Sequence, residues 1–297
     1  MNKYPCALLI MMSLIVAGCV EHTTDVNTVR ETIKSSGKIT DRQLVELLRN
    51  NVDSPFELKL NELTEITDPQ AKIMGRVFNL SLNSVTRLTD LQAEHLSDVT
   101  MLYLNGLTLI TDSQAKSLGK RGQRRLNGLT EITDEQAANL SWTTLLELNG
   151  LKSLADEQAK NLGGGSIARI ALDGLQSISD EQANAFPDIG IVSLNGLSSI
   201  TILQAERLGQ RLGLFLGGLK SITDEQAGYL SKAFSLRLNG LTSISDEQAE
   251  SLSKVSGILD LRGLTSITEA QAKSLSSAPH LEISEDLQLL IEKFKNK

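Results

Sequence analysis

The sequence predicts an α/β solenoid: about ten strand-turn-helix repeats of 22 residues, with a parallel concave sheet and short convex helices. Three observations predict it. A leucine ahead of an Asn-Gly pair or a variant of that pair recurs at 60, 82, 104, 126, 148, 172, 194, 216, 238 and 261, in steps of 22 except one of 24 and one of 23. Behind each leucine comes a helix-start signal, Gln three residues after Thr or Ser in nine of the ten copies. Aromatic residues make up only 3% of the chain, so Leu, Ile and Ala must do the packing, which suits many thin equal layers better than one thick core.

The first 18 residues read as a lipoprotein signal peptide. Lys3 supplies a positive start, and the apolar run from Ala7 to Ala17 has the length of a signal core and is too short to span a bilayer. The run ends in Val16-Ala17-Gly18-Cys19, which resembles the lipobox of bacterial lipoproteins. That resemblance implies cleavage before Cys19, a diacylglycerol on its thiol and an acylated (palmitate-type) new N-terminus, so that several acyl chains anchor the protein to the membrane. Val20 rather than Asp follows Cys19, which in Gram-negative lipoproteins implies outer-membrane delivery within the cell envelope. Residues 19–36 are polar and unpatterned, and read as a tether. Residues 37–55 read as an N-terminal helical cap, because Ile39-Thr40-Asp41-Arg42-Gln43 repeats the helix-start signal without a convincing strand.

Residues 56–280 hold the repeats, with the consensus L-x-L-N-G-L-x-x-I-T-D-x-Q-A-x-x-L. L-x-L places both leucines on one face of a short strand. Thr-x-x-Gln is a capping box, and the acidic residue beside it favours the positive end of the helix dipole. Ala and Leu at i and i+3, as in Ala137 and Leu140, form a narrow apolar stripe. Asn-Gly alone would suggest a hairpin, but a helix start follows it, so the glycine is expected to turn the chain out of the strand with unusual φ. A 22-residue β-helix is the competing fold, disfavoured by the capping boxes. The longer steps carry Gly163-Gly164-Gly165 and Gly257, as loop insertions do. Residues 281–297 read as a C-terminal cap, with a degenerate strand at Leu281-Glu282-Ile283 and an amphipathic helix from Ser284 to Phe294.

These repeats resemble leucine-rich repeats, nearest to the cysteine-containing subclass. Ile66-Thr67-Asp68, Ile110-Thr111-Asp112, Ile132-Thr133-Asp134 and Ile222-Thr223-Asp224 stand at its spacing, and Leu63, Val85 and Leu107 take the cysteine place in a shorter repeat. The resemblance implies a concave face that serves as the ligand surface. The residues between the two leucines point there: Lys59, Ser81, Tyr103, Arg125, Glu147, Ala171, Ser193, Phe215, Arg237 and Asp260. They vary while their neighbours barely do. Tyr103, Arg125, Glu147, Phe215 and Arg237 are the candidate partner-binding residues, with the chemistry of interface anchors.

Catalytic chemistry is not indicated. The three histidines, His22, His95 and His280, never share a repeat position, and no phosphate loop, nucleophile elbow or metal-ligand spacing appears. The only cysteines, Cys6 and Cys19, lie in the first 20 residues, so no disulfide staples the body. A formal charge of −7 disfavours nucleic acid as a partner. Two columns have structural and ligand readings. Asp at 68, 90, 112, 134, 156, 180, 224 and 246 complements helix dipoles or, alternatively, forms a calcium-binding column. Asn at 61, 83, 105, 127, 149, 195 and 239 bonds turn backbone or lines the concave face. Arg124, at a strand position otherwise Leu, Ile or Val, is an anomaly, since an unpaired buried guanidinium is costly. The expected function is a non-enzymatic binding module, with no cofactor and no metal, that holds a protein or peptide; a structural or assembly spacer of the cell envelope is the alternative.

Overall fold

The computed structural model describes residues 26–50, 57–186 and 190–295. Within them, one parallel sheet contains β1 (Glu57–Lys59), β2 (Asn79–Ser81), β3 (Met101–Tyr103), β4 (Gln123–Arg125), β5 (Leu145–Glu147), β6 (Arg169–Ala171), β7 (Ile191–Ser193), β8 (Gly213–Phe215), β9 (Ser235–Arg237), β10 (Ile258–Asp260) and β11 (His280–Glu282). The strands stand in chain order, each paired with the next. A short helix links every strand to its successor, from α3 (Asp68–Met74) to α12 (Glu269–Leu275). The chain is therefore a leucine-rich-repeat solenoid of the α/β class.

Period-two alternation assigns the two faces. The middle residue of β1 to β10 is buried under the helix layer, and the first and third stand on the opposite, uncovered face. Each repeat helix buries the predicted Ala, and eight of the ten bury the predicted Leu three residues on, as at Ala137 and Leu140, both 0% exposed; Met74 and Phe186 fill that place in the other two. No layer is large enough to be stable alone, so neighbours must supply each one's cover.

Three polar ladders tie the layers together. The capping-box glutamines do two jobs: Gln136 Oε1 accepts the Thr133 N–H at 3.0 Å, while Nε2 donates to the Ile110 carbonyl of the preceding layer at 2.9 Å. The second bond recurs from Gln70 to Ile39 through Gln271 to Ile244, which explains Gln rather than Glu: one atom must accept and the other donate. The aspartate column accepts the cap hydroxyl of the next repeat, as in Thr111 Oγ1 to Asp90 Oδ1 at 2.8 Å and Ser245 Oγ to Asp224 Oδ1 at 2.6 Å. It breaks where chemistry requires, at Ala155 without a hydroxyl and at Ile202 without a carboxylate. The asparagine column is structural too: Asn105, Asn127 and Asn149 donate their backbone N–H to the side-chain oxygen of Asn83, Asn105 and Asn127 at 3.3, 3.1 and 3.0 Å. Asp173 continues it, because only an oxygen is needed, and Gly217 donates its N–H to Asn195 Oδ1 but has no side-chain oxygen to offer onward.

Three sequence expectations are corrected. Residues 26–36 are not a tether but contain helix α1 (Val26–Ser36), whose Val29 and Ile33 are 0% and 2% exposed. They pack with α2 (Asp41–Asn50) over the first layer. The stripe was missed because only one face of a short helix needs to be apolar when a solenoid end lies beneath it. The repeat glycines also do not need unusual φ: among the described residues only Gly37 and Gly122 have positive φ. A Cβ at Gly150 would lie 2.4 Å from the carbonyl oxygens of Asn127 and Leu129, so from the third repeat on close backbone approach between layers excludes a side chain. The first two repeats carry Glu62 and Ser84 at that place. The terminal strand β11 sits one residue earlier than expected and leads to α13 (Glu285–Lys295).

Candidate functional site

The signal segment and Cys19 lie outside the described residues. Of the candidate contact residues, the sheet brings Tyr103, Arg125 and Glu147 into one group, on adjacent strands and in register. Phe215 and Arg237 form a second group further along, also in register, with Asp260 next in line. Between the groups the third-position row holds only Ala171 and Ser193, both small and buried.

The first group is closed on itself. The Arg125 guanidinium stacks 4.7 Å from the Tyr103 ring centre, and its Nε lies 3.2 Å from Glu147 Oε1. Asn127 Nδ2 donates to the other Glu147 oxygen at 3.2 Å. Ring, cation and anion thus satisfy one another.

The second group is open. Arg237 stacks 4.3 Å from the Phe215 ring centre, but its register neighbour Asp260 is taken by Arg262, whose Nε and Nη2 donate at 2.9 and 2.7 Å. Arg262 reaches Glu282 as well, at 3.3 Å. Burial would push the Asp260 carboxyl up; the Arg262 hydrogen bonds and charge, with the Arg237 charge, hold it below the usual carboxylate range. Arg237 itself makes no ion pair among the described residues. Sequence reading also missed Arg169, whose guanidinium approaches the same Phe215 ring at 5.6 Å, and whose buried Nε has no hydrogen-bond partner. The signal was available: Arg169 lies two residues before Ala171, hence on the same strand face.

Arg124 belongs beneath the first group, on the buried face of β4. It is 0% exposed, and it escapes the cost of isolation by donating to backbone carbonyls. Its Nε bonds Leu118 at 2.7 Å, Nη2 bonds Ser97 at 2.8 Å, and Nη1 bonds Val99 at 2.8 Å and Gln123 at 3.0 Å. Leu118 and Ser97 end two neighbouring helices, α5 (Asp112–Leu118) and α4 (Asp90–Leu96), whose last carbonyls lack helical partners and carry the negative end of the dipole. Desolvation pushes the Arg124 pKa down to about 10, opposed only by the charge of Asp98. Gly122, at φ +81°, makes room: a Cβ there would lie 2.8 Å from Arg124 Nη1.

No cluster of three or more His, Cys, Asp or Glu side chains placed to hold a metal ion occurs among the described residues. Seven of the eight aspartates of the calcium alternative, all but Asp134, accept cap hydroxyls. A convex-side depression of about 380 Å³ is lined by Lys72, Arg76 and Lys120 but also by Glu94 and Asp98, so no single ligand charge suits it.

No known protein family matches the chain, and no curated protein does. Among solved structures, the crystal structure of an internalin from Listeria monocytogenes is similar to it, at 13% sequence identity and a TM-score of 0.46, covering 89% of this chain and 92% of that one.

Proposed function

We propose that the protein is a membrane-anchored, non-enzymatic binding module that holds a protein or peptide along its concave face. Solenoids of this kind commonly use that extended surface for binding. The observation that carries the reading is the contrast within each strand. Middle residues are nearly uniform and buried, whereas the uncovered third position runs through Tyr, Arg, Glu, Phe and Arg side chains that are partly exposed on the sheet. Anchoring rests on the lipobox-like Val16-Ala17-Gly18-Cys19, with acylation at Cys19 and residence in the cell envelope, at the outer membrane in a Gram-negative cell.

A photo-cross-linking residue at Glu147, on the concave face, should trap a protein in cells that make the chain, whereas one at the exposed convex Glu225 should not. Charge reversal of Arg125 and Arg237 should abolish the trapped species. Equal cross-linking from both faces, or none from Glu147, overturns the concave reading. The spacer alternative predicts silent concave substitutions and sensitivity to repeat deletion. Anchoring is read separately, by incorporation of a fatty-acid label that Cys19→Ser eliminates.

A further inference from the structure

We infer that the concave stretch from β6 to β9 seats an acidic segment of a protein partner: an extended peptide presenting carboxylates beside an apolar side chain. The inference rests on the concave-face reading above and adds the partner's chemistry.

Charge complementarity carries it. The concave cations Lys59, Arg125 and Arg262 are each paired internally, with Glu57 at 3.0 Å, Glu147 at 3.2 Å and Asp260 at 2.7 Å. Arg169 and Arg237 have no ion pair among the described residues. They approach one ring, Phe215, from strands on either side of it, at 5.6 and 4.3 Å. Both guanidinium groups thus lie within 5.6 Å of one ring centre, and the ring neutralises neither, since its quadrupole attracts cations but carries no net charge. Planar guanidinium groups so placed match carboxylates bidentately. In a chain of net charge −7, this cationic spot is local and stands out from the surrounding field.

The surroundings fit a peptide. The floor beside Phe215 is low, because Ala171 and Ser193 are small and Gly213 has no side chain; a Cβ there would already press Ile191 at 3.1 Å. Along the rim where β8 and β9 begin, Leu212 and Phe234 are 48% and 53% exposed and stand in neighbouring positions. The equivalent rim of the first group carries Thr100 and Gly122. Only the second group therefore combines unpaired cations with an apolar ledge.

The test uses the full-length chain and two fluorescent peptides, one of glutamates interspersed with leucine and one with every glutamate replaced by glutamine, read by anisotropy. The glutamate peptide should bind at least about ten-fold more tightly, and high salt should remove most of that difference. Arg169→Gln with Arg237→Gln should lower its affinity by about ten-fold or more while leaving the thermal melt unchanged. Should the double variant fold poorly, the glutamate-to-glutamine ratio and its salt dependence on the unmodified chain decide. Equal binding of both peptides, no binding, or indifference to the double variant overturns the inference. If the Glu147 cross-link survives in that variant at high salt, the concave reading stands and the acidic partner falls. Salt-sensitive self-association in sedimentation, abolished by the double variant, assigns the seat to a second copy of this chain and likewise overturns it.

Discussion

Tyr103–Arg125–Glu147 and Phe215–Arg237–Asp260 are the same arrangement twice: an aromatic ring, an arginine and a carboxylate on three consecutive strands, in register. They nevertheless differ in state. In the first, the arginine takes the neighbouring carboxylate; in the second, Arg262 has taken it, and Arg237 stacks on the ring without an ion pair among the described residues. One residue outside the concave row thus decides whether an arginine is internally satisfied or available. The layers beneath differ as well, with Arg124 under the first group and Leu236 under the second. Composition at equivalent positions does not determine availability; competition for partners does.

The buried layers give the largest tests. Leu236→Arg places a guanidinium where no glycine like Gly122 precedes the strand, since Phe234 stands at that position. It should cost more than about 4 kcal/mol and abolish a cooperative melt, as an unpaired buried charge does. The reciprocal Arg124→Leu restores the repeat consensus yet strips donors from the carbonyls of Ser97, Val99 and Leu118; a loss of about 2–3 kcal/mol in denaturant unfolding is expected. Equal or greater stability would show that those carbonyls find water instead.

Smaller effects test the pairing itself. Arg262→Ala should release Asp260 to Arg237, closing the second group like the first and weakening glutamate-peptide binding about ten-fold. Glu147→Gln should do the opposite, freeing Arg125 and raising glutamate-peptide affinity or stoichiometry about two-fold in titration. Acid unfolding reads the Asp260 pair. Its folded pKa is lowered, so its contribution is fully present above the ordinary aspartate value near pH ~4 and is lost as pH falls through the lowered folded value. Asp260→Asn should flatten that limb by less than about 1 kcal/mol, measured as the difference between melts at neutral and acid pH.

Much of this was legible in the sequence. The leucine spacing fixes the layers, Thr-x-x-Gln marks the helix starts, and alternation about L-x-L exposes Tyr103, Arg125, Glu147, Phe215 and Arg237 on one face. These are local rules, satisfied within one repeat, and short-range backbone preference is enough to impose them. The rest depended on atoms a full repeat or more apart. Gln136 is held by Ile110, Gly150 is crowded by Asn127, and α1 gains its buried face from the solenoid end it covers. That Arg125 keeps Glu147, and that Arg124 donates to carbonyls at the ends of two helices, follow from side-chain reach across stacked layers, which a linear pattern does not encode. The sequence by itself determined the repeat and its two faces; only the tertiary structure decided the partners, because most lie in another layer, and even Asp260 has a second claimant, Arg237, on the neighbouring strand beside its near neighbour Arg262.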